Sequence, residues 1–389
     1  MIVVFALNGA TLGTWSPRAP ALSDQVGIGP GSFGLALLGA TVGMLLSALA
    51  AGRIVERFGA RPVVVVSGLA LFGCLPLVGA APSLGWLAAA LFGLGVASGV
   101  LDVAMNVAGV AVERAERTPV MPLFHAWFSF GALAGAAGAA LAAHLGMSPV
   151  PHFLLAAVAG VIVLTAVARA LPGVTPRAEH ASHHAAGTAL FRRPVLWLLA
   201  AVALCSAIAE GASSDWSALL LVTEQGASEG AAALAYAGFS VAMAVARLSG
   251  SWLQKRFGPG RVLVVGSVCA SAGLLAAALV GVPAVSYAGF MLAGAGLAAC
   301  FPVALGLAGE AGKRSDDSGG EREVSFVTAI SYTGFLAGPP AIGGIAELTS
   351  LSVSFVVVGL VAAAIAPAAL AAGRHVARDR ERRTSHLVR

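Results

Sequence analysis

The chain has 389 residues, 58% of them hydrophobic and only 11% charged, with a mean hydropathy of +0.89. A soluble domain carries roughly 25% charged residues, so this composition excludes a water-soluble fold and points to lipid as the solvent. The net charge of +5 calls for no nucleic-acid partner, because basic loops beside anionic lipid account for it.

Only helices and closed barrels satisfy every backbone group in a bilayer. Apolar runs such as Val63 to Leu71 and Val353 to Ala366 lack the two-residue alternation of barrel strands, so the spans are predicted to be helices, each using about 20 apolar residues to cross. In chain order they fall near 1–20, 31–52, 62–81, 84–112, 120–145 and 150–171, then near 195–222, 230–253, 262–282, 284–309, 323–346 and 351–373. The predicted fold is an all-α membrane protein of 12 transmembrane helices. It comprises an N-terminal six-helix bundle (1–171), a polar linker (172–194), a C-terminal six-helix bundle (195–373) and a basic tail (374–389).

The four cysteines, Cys74, Cys205, Cys269 and Cys300, lie far apart inside apolar segments, which suggests neither a disulfide framework nor a zinc site. The linker's His180, His183 and His184 have no further ligands nearby and read as part of a solvated loop. No metal and no cofactor are expected.

When the connections are assigned to alternate sides of a membrane, all of the 23 Lys and Arg residues but Arg18 and Arg247 fall on one side. The positive-inside rule makes that side the cytoplasm, with both termini and the linker there, in a multi-pass protein of a bacterial inner membrane.

The two sets of spans look duplicated. Asn8 to Ser16, including Trp15, resembles Glu210 to Ser217, including Trp216, at an offset of 201 to 202. The segment beginning Arg57-Phe58-Gly59 matches Arg256-Phe257-Gly258 at offset 199, Gly131 and Gly135 fall on Gly334 and Gly338 at offset 203, and Gly95 falls on Gly294. Six helices per copy is an even number, so the copies run parallel, about an axis along the membrane normal. Such an arrangement places a substrate site between the halves near the midplane. Glu210 lies fifteen residues into its span and Asn8 has only seven residues before it, so the first helix is expected to be unusually short or to begin upstream of Met1.

Gly52, Glu56, Arg57, Gly59 and Arg61 between the second and third spans resemble the signature of the major facilitator superfamily. That resemblance implies the superfamily's fold of two pseudo-symmetric six-helix bundles and a gating role for the turn. Physically, the glycines allow a tight turn, and Glu56 at a helix N-terminus would pair with the arginines. The second copy keeps Arg256 and Gly258 but has Lys255 in place of the acid. Gly334, Gly338, Pro339 and Pro340 look like the Gly/Pro motif that antiporters of this superfamily carry in the fifth span. Here the motif stands in the eleventh, and as a helix bend it needs only a close helix contact. Leu101 to Arg114, Phe124 to Gly131 and Glu210 to Ser217 resemble a bacterial subgroup, the MosC-like permeases, a group associated with rhizopine, an inositol-type compound.

Ionisable groups inside spans are expensive and usually face a cavity or a partner. Asp102 and Asn106 are four apart and share a helix face, and His125 enters the fifth span from the same side. The three read either as a proton-handling cluster or as a structural hydrogen-bonded set. Glu210 with Asn8 suits substrate hydroxyls. Asp215 lies near the outer end of the same span, and the Trp15 and Trp216 rings are either stacking faces or interfacial anchors. Arg247 is expected to snorkel or to pair with an acid such as Glu323, a gate-like role. No catalytic constellation or phosphate loop argues for an enzyme. The favoured function is a proton-coupled secondary transporter of a small sugar-like or cyclitol-like solute, acting as a monomer in the lipid bilayer. A drug or metabolite efflux antiporter and a non-transporting membrane sensor remain as alternatives.

Overall fold

Prolines and glycines decide where these helices start, break and stop. The computed structural model describes residues 1–116, 120–173, 192–316 and 321–375. Most of the predicted linker, with His180, His183 and His184, and the tail beyond His375 lie outside the described residues.

The first span is helix α1 (Ile2–Trp15), a 3-10 turn (Ser16–Arg18) and α2 (Ala19–Val26). Pro17 and Pro20 remove two backbone donors there, enough to break a helix. Then come α3 (Pro30–Phe58), α4 (Ala60–Gly79), α5 (Leu84–Glu116), α6 (Met121–His144) and α7 (Pro149–Ala168). The second half has α8 (Pro194–Gln225), α9 (Glu229–Phe257), α10 (Pro259–Leu279), α11 (Pro283–Leu297), α12 (Cys300–Asp316), α13 (Glu321–Leu348) and α14 (Leu351–Ala363), the last continued as helix to His375. The α11–α12 break at Ala298 and Ala299 lies just before Pro302, whose missing N–H removes the bond that Ala298 would accept.

Ten helices among the described residues are long and apolar enough to cross a membrane by length and composition. The broken first span and α13 complete the twelve through packing, α1 lying along α6 and α13 along α8 and α3. Large apolar side chains such as Leu49, Val66, Leu155, Ile162 and Leu279 point outward, as a lipid-solvated surface requires.

The duplication is built into the backbone. Helices α3 and α9 each have 29 residues and coincide at offset 199. A side-chain carbon at Gly95 would run into the carbonyl of Ala40, and one at Gly294 into that of Phe239, again 199 apart. Gly59 (φ 82°, ψ 153°) and Gly258 (φ 81°, ψ 153°) make the same turn, in a region open essentially to glycine alone. Arg57 stacks on Phe58 at 5.4 Å as Arg256 does on Phe257 at 5.6 Å. A further repeat escapes a first reading of the sequence. Ser23-Asp24-Gln25 and Thr223-Glu224-Gln225 are 200 apart, and Gln25 donates to the carbonyls of Gly79 and Ala81 as Gln225 does to that of Ala277.

Two expectations about the gating turn change. Helix α3 runs through Phe58, so Gly52, Glu56 and Arg57 belong to its last turns and only Gly59 makes the turn. Glu56 therefore sits at a helix C-terminus, where the dipole opposes a negative charge, and it forms no ion pair among the described residues.

Candidate functional site

The halves meet along α3 with α13 and α6 with α9. Glycine brings them close: the start of α3 at Gly34 packs on the Pro339 carbonyl and on Gly343 near the end of α13, and Gly230 at the start of α9 packs on His144 at the end of α6. Three polar contacts tie the same end. The Ser16 hydroxyl donates to the carbonyl of Ser214, the Gly31 N–H donates to a Glu347 carboxylate oxygen at 3.1 Å, and Arg18 faces Glu229. Trp216, fully buried, fits edge-on against Phe33 (5.7 Å, 88°) and beneath Gly343. This end, bearing the loops near 80–83 and 280–282, is sealed.

Between the halves lies a cavity of about 390 Å³. Exposure rises toward the end bearing the Gly59 and Gly258 turns: Trp15 is 5% exposed, whereas Tyr332 is 41% exposed and Asp102 is also exposed. The cavity opens there.

Matching helix positions line the two walls. Leu37 and Thr41 of α3 correspond to Tyr236 and Ser240 of α9, Ser129 and Ala132 of α6 to Tyr332 and Phe335 of α13, and Asn8 of α1 to Glu210 of α8. In each helix pair the lining residues recur at the three- and four-residue spacing of one helix face. In four of these five pairs the C-terminal copy takes the larger side chain, the exception being Ser240 for Thr41, and Glu210 brings a charge where Asn8 is neutral.

The structure brings Asn8, Trp15, Asp102, Glu210, Asp215 and Arg247 to the cavity wall. Asn8 turns its amide nitrogen to the Met105 sulfur at 3.8 Å. Asp102 accepts from Asn106 at 3.2 Å, and the same amide also reaches the Asp102 carbonyl at 2.8 Å. Asn106 stands behind Asp102 and does not line the cavity. His125 is exposed, with its ring edge-on to Phe5 at 5.3 Å; it hydrogen-bonds to neither Asp102 nor Asn106 among the described residues. Asp215 accepts from the Ser214 hydroxyl at 3.0 Å. Trp216 belongs to the seal, one helix face away from the cavity.

Arg247 departs from its expected partner. It approaches Glu210 at 3.4 Å, with the two side chains 37% and 32% exposed. Glu323 is taken by Arg193 at 2.6 Å, which also donates to the Ala311 carbonyl at 2.8 Å. The reason is position: Glu323 lies in the first turn of α13 beside the linker's end, and Arg247 lies deeper on the cavity face of α9. A long, part-exposed pair of this kind contributes about 1 kcal/mol or less, so a solute's polar group or a proton can displace it.

Tyr236, Tyr332, Ser98 and Ser214 escaped sequence reasoning. A signal existed for two of them, since the chain has only 3 tyrosines and both of these fall within predicted spans.

The Major Facilitator Superfamily model matches residues 1–310 and 213–386. An uncharacterized MFS-type transporter of Yersinia pestis is 33% identical over 374 residues, covering 96% of this chain and 94% of its own length. An uncharacterized transporter of Sinorhizobium fredii is 35% identical, covering 93% and 94%, and the membrane protein MosC of Rhizobium meliloti is 28% identical, covering 95% and 89%. Among solved structures, a nucleoside transporter, NupG, superposes with a TM-score of 0.79 at 11% identity, covering 95% of this chain and 98% of its own. A bacterial homolog of the human lysosomal transporter Spinster, inward-facing and occupied, gives 0.75 at 14% identity, covering 96% and 95%. The fold and its cavity define a multi-pass membrane transporter. The chain belongs to the Major Facilitator Superfamily.

Proposed function

We propose that the protein moves a small polar solute, of sugar or cyclitol type, across the bacterial inner membrane by alternating access coupled to protons. The observation that carries this reading is the cavity between the halves, whose walls combine three carboxylates and one guanidinium with serine, threonine and tyrosine hydroxyls and flat aromatic faces. Its volume of about 390 Å³ lies within the range of roughly 300 to 1,000 Å³ typical of small-molecule sites. Hydroxyls and a carboxylate suit a polyol, aromatic faces suit the apolar side of its ring, and carboxylates that face a cavity within the membrane are the groups by which a transporter carries protons.

The basic turns and the basic C-terminal tail support a cytoplasmic position for the open end of the cavity by the positive-inside rule. Both walls come from one chain, which supports a monomer as the working unit. Arg247 joins Glu210 as part of the substrate and proton site, and Gly52, Glu56, Arg57, Gly59 and Arg61 with Arg256 and Gly258 act at the cytoplasmic gate. Efflux of a drug or metabolite is the second reading, favoured by the largely apolar N-terminal wall and by Pro339 and Pro340 in α13.

The test is solute-triggered proton movement in proteoliposomes, with sugars, cyclitols, organic acids and cationic drugs offered to wild type, Asp102→Asn and Glu210→Gln. A proton signal with a polyol, lost in either variant, supports the proposal. A signal only with cationic drugs moves the protein to the efflux reading, and silence across the panel from folded, oriented protein favours a sensor.

A further inference from the structure

Arg18 is the most deeply buried charge at the seal, with a side chain 3% exposed. It stands where Pro17 breaks the first span, and the break turns its guanidinium out of the helix and between the halves. One nitrogen donates to the Met147 carbonyl of its own half at 2.7 Å and faces Glu229 of the other half at 3.6 Å. That separation is long for a charge-assisted bond, which is ordinarily about 2.7 to 2.9 Å. Nε and the other terminal nitrogen are buried and have no acceptor among the described residues, and neither does Nδ1 of the nearby His152. Glu229 is in a different position. Its side chain is 34% exposed, it is the first residue of α9, and the helix dipole stabilises a carboxylate there without any partner.

The two members of this pair are therefore unequal. Closing the sealed end strips water from Arg18 and returns only part of the lost hydrogen bonding, whereas Glu229 gives up little. Removing one partner of a buried pair hurts most when a buried charge is left behind, and replacing the buried charge by an apolar side chain of similar size is often neutral or stabilising. In the sealed form a pocket of about 480 Å³, lined by Arg18, Asp24, Gln25, Met147 and Glu229, already adjoins the guanidinium, so a small parting of the halves is enough to let water reach its buried nitrogens.

We propose that Arg18 acts as a spring that drives the sealed end open, restrained by Glu229, so that the pair's two members set the conformational balance in opposite directions. An ordinary latch would instead open on loss of either member. The proposal rests on the alternating-access reading, and the experiment separates failure of one from failure of the other.

Spin labels at Pro82→Cys and Val282→Cys, exposed positions in equivalent loops of the two halves at this end, would be placed in full-length protein whose 4 natural cysteines are replaced. Pulsed-EPR distances are then measured in lipid. Expected are a short, sealed population and a longer, open one in the parent. Arg18→Met raises the short population at least threefold relative to the long one, and Glu229→Gln lowers that ratio at least threefold. Arg18→Leu repeats the first arm should the methionine variant fold poorly, and monodispersity on size exclusion checks every variant. If both substitutions lengthen the distance, Arg18 is a latch and the proposal falls. If both distances persist and neither ratio moves, the pair does not set the balance and the proposal falls as well. A single unchanging distance in every variant, with and without transported solute, overturns alternating access itself.

Discussion

Several corresponding helix positions line the two walls of the cavity and carry different side chains. Where α3 offers Leu37 and Ala40, α9 offers Tyr236 and Phe239; where α6 offers Ser129 and Ala132, α13 offers Tyr332 and Phe335. Three of the four charged groups, Glu210, Asp215 and Arg247, stand on the C-terminal wall, and only Asp102 stands opposite. Duplication carries many of the cavity-facing positions from one half to the other, because it preserves helix phase and packing. It does not determine what fills them, so the two halves have been free to specialise.

The same contrast runs through the packing. In the N-terminal half α1 and α6 are joined backbone to backbone: a side-chain carbon at Gly9, Gly13, Gly131 or Gly135 would collide with a main-chain oxygen of the partner helix. Their counterparts are looser. A side-chain carbon at Gly211 would touch only the Phe335 ring, Asp215 replaces Gly13, one at Gly334 would meet the side chains of Leu204 and Ile208 first and the Leu204 carbonyl only at 3.3 Å, and one at Gly338 would meet nothing. The N-terminal half gives up polar cavity surface for close helix contact, and the C-terminal half makes the reverse exchange.

Breaking that joint carries the largest expected effect. Gly135→Ala should destabilise the protein by about 3 kcal/mol, the upper end for overpacking, whereas Gly338→Ala at the equivalent position should stay within about 0.5 kcal/mol. Thermal unfolding in detergent followed by size exclusion measures both, and equal losses would remove the distinction between the halves. The two turns provide the symmetric control. Because Gly59 and Gly258 share one backbone conformation, alanine at each should cost about 2 kcal/mol, and a difference above about 1 kcal/mol would show that the turns are not equivalent.

The charged wall is tested by transport. Glu210→Gln and Asp215→Asn should each lower coupled proton flux by at least about tenfold, equivalent to roughly 1.4 kcal/mol, with folding and membrane insertion unchanged. Retained flux in both would shift proton handling to Asp102. The smallest effect is expected from hydroxyls. Ser240→Ala should weaken apparent solute affinity by about 2- to 10-fold, the loss of one hydrogen bond, and Thr41→Ala on the opposite wall should do so less. The reverse order, read from concentration dependence of uptake, would place the solute against the N-terminal wall.

Much of this was legible from residues alone. Twelve spans follow from apolar runs, since a bilayer imposes a length that a sequence displays directly. The repeat was visible wherever a special backbone demanded glycine, as at Gly59 and Gly258 or Gly95 and Gly294, because no other residue fits there. Asn8, Asp102, Glu210 and Asp215 stood out as polar residues in apolar helices, and all four reach the cavity. Asn106, His125 and Trp216 stood out equally and do not, because helix periodicity gives a face without saying what that face meets.

The sequence by itself therefore determined the solvent, the helices and the duplicated plan, all of which depend on local composition and spacing. Tertiary structure alone decided that Arg247 meets Glu210 while Glu323 goes to Arg193, that Trp216 plugs the seal while Trp15 lines the cavity, and that Arg18 is buried between the halves. Partner choice depends on how helices rotate and dock within and between the two halves, and that geometry arises from contacts between different helices, from 37 positions apart for Glu210 and Arg247 to more than a hundred for the others.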